Sequence, residues 1–184
     1  TKVKSFSEKK AAYILKQVLL AINYMHKKNV THRDLKPENI LLESKNLDNL
    51  EVKIADFGFS CVFDPHDGLK TVLGSPLYMA PELVKAEGYD SKVDIWSIGV
   101  ISYMLLSGRS PFPGQDKKQI NHMIVNRKID LDEISYFDKI SGHGKDFIMR
   151  AMERDTSKRY TAEQLLVHPW MNDQSDEVVL DASI

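Results

Sequence analysis

THRDLKPENILL, residues 31–42, places a histidine, two cations, two acids and an asparagine directly before three apolar residues. A solvated surface loop does not normally run into such an apolar sequence. Ile40–Leu42 and the later Val52–Ile54 have the length and composition of two short strands. The stretch therefore predicts a charged loop that leads into a small β-hairpin, and its crowded charges need a chemical explanation.

Helical periodicity dominates the rest of the chain. Ser5 and Glu8 stand at capping-box spacing, and the apolar residues that follow, as far as Met25, share one helical face. From Asp56 to about Ala80, two prolines and three glycines interrupt any period, which predicts a long irregular segment. The fold class is therefore expected to be mainly α, with one small hairpin. Further helices are predicted at 94–107, capped by Asp90 or Ser91, and at 117–126, 144–153 and 161–167.

Composition excludes several classes of protein. The chain has 184 residues, 42% hydrophobic and 28% charged, as in an ordinary soluble domain. Its net charge of −1 gives no electrostatic reason to expect a nucleic acid or a membrane surface as partner. The single cysteine, Cys61, fits a reducing cytoplasmic or nuclear location. No signal-peptide pattern is visible, and the longest apolar stretch, Ile95–Leu106, is too short to span a bilayer.

Five residues of the opening stretch have a spacing that chance rarely produces. His32-Arg33-Asp34 is followed by Lys36, two residues after the aspartate, and by Asn39, five residues after it. At a usage of about one in twenty per residue, such a set matches at roughly one start in three million. An ordinary polar loop is therefore a poor explanation. The groups present are those that orient a nucleophile and neutralise charge on phosphates.

Two more motifs follow in order, Asp56-Phe57-Gly58 and Ala80-Pro81-Glu82. Together with the first, they resemble the catalytic loop, the metal-binding turn and the end of the activation segment in the eukaryotic protein kinase family. The resemblance implies that residues 1–171 form the helical C-terminal (large) lobe of a kinase fold whose parent domain is α+β. Residues 172–184 are polar and acidic and are expected to form a tail.

The resemblance implies ATP and Mg²⁺ as cofactors. Asp34 would accept or orient the substrate hydroxyl proton, and Lys36 would steady the transferred phosphate. Asn39 and Asp56 would hold magnesium, because hard oxygen ligands suit an ion that bridges phosphates. Leu41 would lie under the adenine ring, whereas its neighbours Ile40 and Leu42 are expected to be core residues.

The resemblance also implies the substrate class. Lys36, together with Gly74-Ser75-Pro76-Leu77-Tyr78, matches the pattern of serine/threonine kinases, with Ser75 bonded to the catalytic aspartate and lysine. Ser75 and Leu77 would then contact the protein substrate. Glu38 is expected among the nucleotide-binding residues, with Lys36, Asn39, Leu41 and Asp56, and it also matches an acid that contacts a basic residue upstream of the phosphorylated one. Met104 replaces a second such acid, so a basic-directed preference remains an open expectation.

Regulation is expected at Thr71, which matches the position of an activating phosphothreonine. A phosphate added there by another kinase would pair with Arg33 through charge-assisted bonds. The alternative is an unmodified threonine, because several calcium-dependent kinases work without such a phosphate.

Other matching residues are expected to be structural. The ring of His32 would pack against Phe57, Glu82 and Arg159 would form a buried ion pair, and Asp94 would bind the backbone of the catalytic loop.

LLSGRSPFPG (105–114) and LLVHPW (165–170) resemble the calcium/calmodulin-dependent group in its broad sense, although Thr156 replaces a usual proline. No glycine-rich loop or strand lysine precedes Ser5, so the large lobe alone is expected, with weak ATP binding and poor phosphate transfer. The competing interpretation is a truncated or pseudokinase-like binding module without activity. A histidine-based metal enzyme is disfavoured, because the six histidines show no zinc-site spacing.

Overall fold

Helix α3, Lys92–Ser107, lies at the centre of the core, because apolar residues occupy its whole circumference and most of them are buried. Helices α1 (Glu8–Lys27) and α5 (Gly142–Ala151) pack against it. The computed structural model describes residues 5–43, 50–63 and 68–172, and this part is mainly helical. The remaining helices are α2 (Pro81–Val84), α4 (Lys117–Asn126), α6 (Ala162–Leu166) and α7 (Pro169–Asn172). None of the helices in these ranges is long and apolar enough to cross a membrane.

Two short antiparallel ladders hold the charged loop at both ends. Strand β1 (Val30–Thr31) leads into the loop and pairs with β4 (Cys61–Val62). Strand β2 (Ile40–Leu42) leaves it and pairs with β3 (Val52–Ile54), which confirms the predicted hairpin. A 3-10 turn, Pro37–Asn39, connects the loop to β2. Residues 32–39 are therefore fixed between two ladders rather than left as a free loop.

The expected burial of Leu42 is wrong. Ile40 packs partly against the core, but Leu42 is 43% exposed. Both side chains point to the same face of β2, because strand residues alternate between faces. Leu42 stands at the outer end of the three-residue strand, farther from the core than Ile40, and this position accounts for its exposure.

The expected cap of α1 is also wrong. The helix begins two residues later than the Ser5–Glu8 box predicts, and Ser7 is its N-cap, with Oγ accepting the Lys10 N–H at 3.4 Å. Glu8 makes tertiary contacts instead. Its carboxylate accepts the N–H and the hydroxyl of Ser141, at 2.9 and 2.7 Å, and the indole N–H of Trp170 at 2.7 Å. Glu8 therefore joins the start of α1 to residues far along the chain.

The other helix starts follow the predicted chemistry with small shifts. Asp90 Oδ1 accepts the Lys92 N–H at 2.7 Å at the start of α3, while the Ser91 side chain makes no capping bond. Helix α5 begins at Gly142 and not at 144, because Ser141 caps it. Thr161 and Gln164 form a complete capping box at α6.

Replacing Glu8 by alanine is expected to lower the free energy of unfolding by about 1–3 kcal/mol, because three donors lose a charged acceptor. Urea unfolding followed by tryptophan fluorescence measures the effect. Glu133→Ala removes a carboxylate elsewhere on the surface and is the control. Equal stability of the Glu8 variant and the control variant would contradict the proposed link between α1 and Trp170.

Candidate active site

The backbone of the charged loop is fixed to the core through Asp94 of α3. The Asp94 carboxylate is 1% exposed and accepts the backbone N–H groups of His32 and Arg33, each at 2.9 Å. Arg33 has a φ of 70°, in the left-handed region that residues with side chains rarely adopt. The expected contact of Asp94 with the loop is thus present, and it holds a strained turn. His26 Nε2 lies 2.9 Å from the same carboxylate, a contact that the sequence did not reveal.

The carboxylate of Asp34 is buried and surrounded by hydrogen-bond donors. Oδ1 accepts the N–H of Ser75 at 2.9 Å and its hydroxyl at 2.8 Å. Oδ2 accepts the Lys36 ammonium at 2.7 Å, and Lys36 Nζ also donates to Ser75 Oγ at 3.1 Å. The structure therefore brings together three residues that the sequence places up to 41 positions apart.

The electrostatics of this cluster favour its charged forms. Burial acts to raise the pKa of Asp34, but hydrogen bonds from Lys36 and Ser75 outweigh it, so the pKa lies below its usual value. The pKa of Lys36 is raised, first by its hydrogen bond to Asp34 and further by the charges of Glu38 and Asp56. Burial, with the charge of Glu38, raises the pKa of Tyr78 to about 12. Glu38 and Asp56 thus act on the same cluster.

Asn39 connects the loop to the Asp56-Phe57-Gly58 turn. Its Nδ2 donates to the backbone oxygen of Asp34 at 2.9 Å, and its own backbone oxygen accepts the Ala55 N–H at 2.9 Å. His32 is fully buried, with Nε2 3.1 Å from the Ala55 oxygen and its ring centroid 5.3 Å from that of Phe57. The expected packing of His32 on Phe57 is confirmed.

The residues expected at a magnesium site have suitable chemistry. Asp56 is exposed, adopts a φ of 60°, and accepts the Gly58 N–H at 3.2 Å through Oδ1. The amide nitrogen of Asn39 is used within the loop, which leaves Oδ1 as its oxygen ligand. Two oxygen donors fit an ion that keeps several waters and binds substrate phosphates. Within the described ranges, no group of three or more His, Cys, Asp or Glu residues could hold a metal.

The remaining site residues lie around this centre. Leu41 is 52% exposed on β2, directly after the loop. Leu77 is half-buried in the 3-10 turn Pro76–Tyr78 that follows Ser75. Glu38 is exposed in the 3-10 turn of the loop. Thr71 is exposed too. Within the part of the chain that the structure describes, the Arg33 side chain bonds to Phe59 and Tyr89 and not to the Thr71 side chain.

The sequence analysis named Gly74 within the serine/threonine pattern but gave it no positioning role, and it missed Tyr89, whose hydroxyl bonds to the backbone oxygen of Thr71. Gly74 has a φ of 115°, and a Cβ there would lie 2.7 Å from the backbone oxygen of Arg33. Only glycine therefore allows this close approach, which places Ser75 against Asp34. The Gly-Ser-Pro sequence was the available signal for Gly74, whereas no local pattern marks Tyr89.

Asp34 is expected to make the chain sensitive to acid. Its pKa is lower in the folded state than the value of about 3.9 in an unfolded chain. The stabilisation is therefore fully present well above the unfolded pKa, and it is lost progressively as the pH falls through the folded-state pKa. Denaturant unfolding is measured from pH 5 downwards, as far as the chain stays folded. Lowering the pH over this range should reduce the free energy of unfolding less for Asp34→Asn than for the wild type. Asp138→Asn, at an exposed position, is the control, and equal acid slopes for Asp34→Asn and the wild type would contradict the argument.

A set of groups suited to handling phosphate thus meets in one place: a buried carboxylate, a cation bonded to it, and two side chains with oxygens that could bind a metal. This arrangement matches the catalytic loop and metal-binding turn of the protein kinase class. A family model described as the protein kinase domain matches residues 1–171. The chain therefore belongs to the protein kinase family.

Similar proteins agree with this assignment. The chain is 44% identical to myosin light chain kinase A of Dictyostelium discoideum over 96% of its own length and 59% of the relative. It is 41% identical to death-associated protein kinase 2 of Homo sapiens, covering 91% of the chain and 45% of the relative. It is 45% identical to calcium-dependent protein kinase 4 of Plasmodium berghei, covering 91% and 31%.

The relatives confirm the resemblance to serine/threonine kinases of the calcium/calmodulin-dependent group in its broad sense. The chain spans between about a third and about three fifths of the length of these relatives, 31% to 59%.

Proposed function

We propose that this chain carries the catalytic loop of a serine/threonine protein kinase, which transfers the γ-phosphate of ATP to a protein hydroxyl. The observation that carries the proposal is the bonding of the Asp34 carboxylate to the Ser75 hydroxyl and the Lys36 ammonium. An aspartate with a lowered pKa remains an acceptor at neutral pH, as the orientation of a substrate hydroxyl requires.

Each residue of the cluster has a role in this proposal. Asp34 orients the attacking hydroxyl and accepts its proton, while Lys36 keeps its charge and neutralises the transferred phosphate. Asn39 and Asp56 would hold Mg²⁺, which would neutralise charge on the ATP phosphates when bound. Leu41, exposed on β2, would contact the adenine ring. Positioning and charge neutralisation account for most catalysis in this reaction class, and these residues supply both.

The protein substrate would lie along Glu38, Ser75 and Leu77. Glu38 is exposed and lies close enough to influence the pKa values of Lys36 and Tyr78, so its negative charge reaches the region beside the phosphate acceptor. A basic residue upstream of the phosphorylated serine or threonine would complement that charge.

Thr71 is proposed as a site of phosphorylation by an activating kinase. It is exposed, and its backbone oxygen is linked to Arg33 through one intervening hydroxyl. A phosphate on this residue would lie near a guanidinium that can form charge-assisted bonds with it.

The second candidate is a binding module without activity. Leu41, Phe57 and Phe59 are between 42% and 53% exposed around the site, and such a surface could bind a protein partner. The same exposure leaves the adenine position open within the described residues, so we expect slow transfer by the isolated chain.

The experiment that separates the candidates measures phosphate transfer from radiolabelled ATP to a basic serine peptide, with Mg²⁺, by this chain and by Asp34→Asn. We expect the rate of phosphate transfer to be about 10² to 10⁴ times lower for the variant, as when a group that accepts or donates a proton is removed. Asp138→Asn, at an exposed surface position, should keep full activity. Transfer that is absent from the wild type, or unchanged in Asp34→Asn, would favour the binding module.

A further inference from the structure

The side chain of Arg33 is already bonded in the unmodified chain. Its Nε donates to the backbone oxygen of Phe59 at 2.5 Å, and Nη1 donates to the hydroxyl of Tyr89 at 3.4 Å. That hydroxyl in turn donates to the backbone oxygen of Thr71 at 2.7 Å. One phenol group therefore joins the catalytic-loop arginine to the segment that bears Thr71.

The backbone of Tyr89 is held against the same segment. Leu69 and Tyr89 form an antiparallel bridge, with the Leu69 N–H donating to the Tyr89 oxygen at 2.8 Å and the Tyr89 N–H to the Leu69 oxygen at 3.0 Å. Tyr89 is 5% exposed, and Leu69 is 8% exposed. Residues 69–71 thus lie beside Tyr89. Backbone hydrogen bonds join Tyr89 to Leu69, and its phenol hydroxyl bonds to the backbone oxygen of Thr71.

We propose that the Tyr89 hydroxyl is a positioning group that fastens residues 69–75 to Arg33 without a phosphate on Thr71. Thr71 lies three residues before Gly74, whose close contact with the Arg33 backbone places Ser75 on Asp34. The Tyr89 hydroxyl holds the Thr71 carbonyl, and the close contact with Arg33 holds Gly74. Only Val72 and Leu73 lie between these two fixed points, so the segment has little freedom to move. The phenol therefore supports the orientation of Ser75 at the reacting centre.

The inference gives the two expectations for Thr71 a common physical basis. The hydroxyl links Arg33 to the backbone oxygen of Thr71 through neutral hydrogen bonds, whereas a phosphate on the Thr71 side chain would offer the same guanidinium a charged partner. A charge-assisted hydrogen bond is roughly twice as strong as a neutral one. Phosphorylation would then strengthen an existing attachment and not create order in a free segment.

The proposal rests on the proposed function only for its consequence for catalysis, so the test measures attachment directly. Hydrogen exchange of the whole chain is followed by mass spectrometry for the wild type and Tyr89→Phe, which keeps the ring. Loss of one such bond should speed exchange at the Leu69, Ser75 and Tyr89 amides by about three- to tenfold. Peptides from α1 and α5 should be unchanged, and circular dichroism checks that the variant is folded.

Two further variants make the result specific. Tyr136→Phe removes a hydroxyl that lies 3.1 Å from the Tyr103 hydroxyl, away from the site, and should leave the three amides unchanged. Phosphothreonine installed at position 71 of Tyr89→Phe should restore their protection, a rescue that a purely packing role would not produce. Unchanged exchange in Tyr89→Phe, faster exchange over the whole chain, or failure of the phosphate to rescue would overturn the proposal. Because no ATP is needed, absence of phosphate transfer would count against the proposed function and not against this attachment.

Discussion

Replacing Arg159 by leucine is expected to lower the free energy of unfolding by about 3–5 kcal/mol, because the change leaves a buried carboxylate without its partner. Arg159 is 1% exposed and forms two parallel bonds with Glu82, Nη1 to Oε1 at 2.6 Å and Nη2 to Oε2 at 3.0 Å. Its Nε also donates to the Glu153 oxygen at 2.7 Å, and its guanidinium lies 5.2 Å from the centroid of the Trp96 ring. The buried pair expected from the sequence is therefore present. It links α2 to the segment between α5 and α6, and the same guanidinium contacts the central helix α3 at Lys92 and Trp96.

Urea unfolding of Arg159→Leu, of Arg150→Leu and of a double variant shows how much of the lost stability comes from the unpaired buried charge. Arg150→Leu removes an exposed pair with Asp146, at 3.1 Å, and should cost no more than about 1 kcal/mol. The double variant Glu82→Leu/Arg159→Leu removes both charges and should recover much of the loss, because it leaves no unpaired charge buried. If Arg159→Leu and Arg150→Leu were equally stable, the pair would not be a major contributor to stability.

Residues that act through local spacing were predictable from the sequence. Asp34, Lys36 and Asn39 lie within six positions, so their spacing alone marked the loop, and in the structure both Lys36 and Asn39 bond to Asp34. The hairpin β2–β3 was predictable for the same reason, since strand length and composition are local properties.

Features that depend on distant partners were not predictable in this way. Glu8 has the spacing of a capping residue, but partners 133 and 162 positions away compete for its carboxylate and leave Ser7 to cap the helix. Tyr89 looks like an ordinary core tyrosine until its hydroxyl is seen between Arg33 and Thr71. Sequence patterns report what a residue can bind, whereas the fold decides which of several partners it meets.

Asp94→Ala is expected to lower the free energy of unfolding by roughly 2–5 kcal/mol, because the buried N–H groups of His32 and Arg33 lose their acceptor. The variant should also impair any phosphate transfer by the chain beyond its effect on stability. Arg33 adopts a left-handed φ of 70° next to Asp34, and a conformation of that kind persists only where surrounding bonds enforce it. Without the carboxylate, the turn can relax and carry Asp34 away from Ser75.

Asp90→Ala provides the matched control, because Asp90 stands at the start of the same helix and is exposed, and within the described residues its carboxylate accepts the nearby Lys92 N–H. It should cost about 0.5–2 kcal/mol, as for loss of a helix cap, and leave the catalytic loop in place. Urea unfolding gives the stability, and hydrogen exchange at the His32, Arg33 and Ser75 amides reports the loop. Faster exchange at these amides in Asp94→Ala, under conditions where the chain stays folded, separates local loosening from general destabilisation. Slow exchange there in Asp94→Ala would mean that the ladders at the two ends of the loop are sufficient to hold it, and that the carboxylate contributes stability alone.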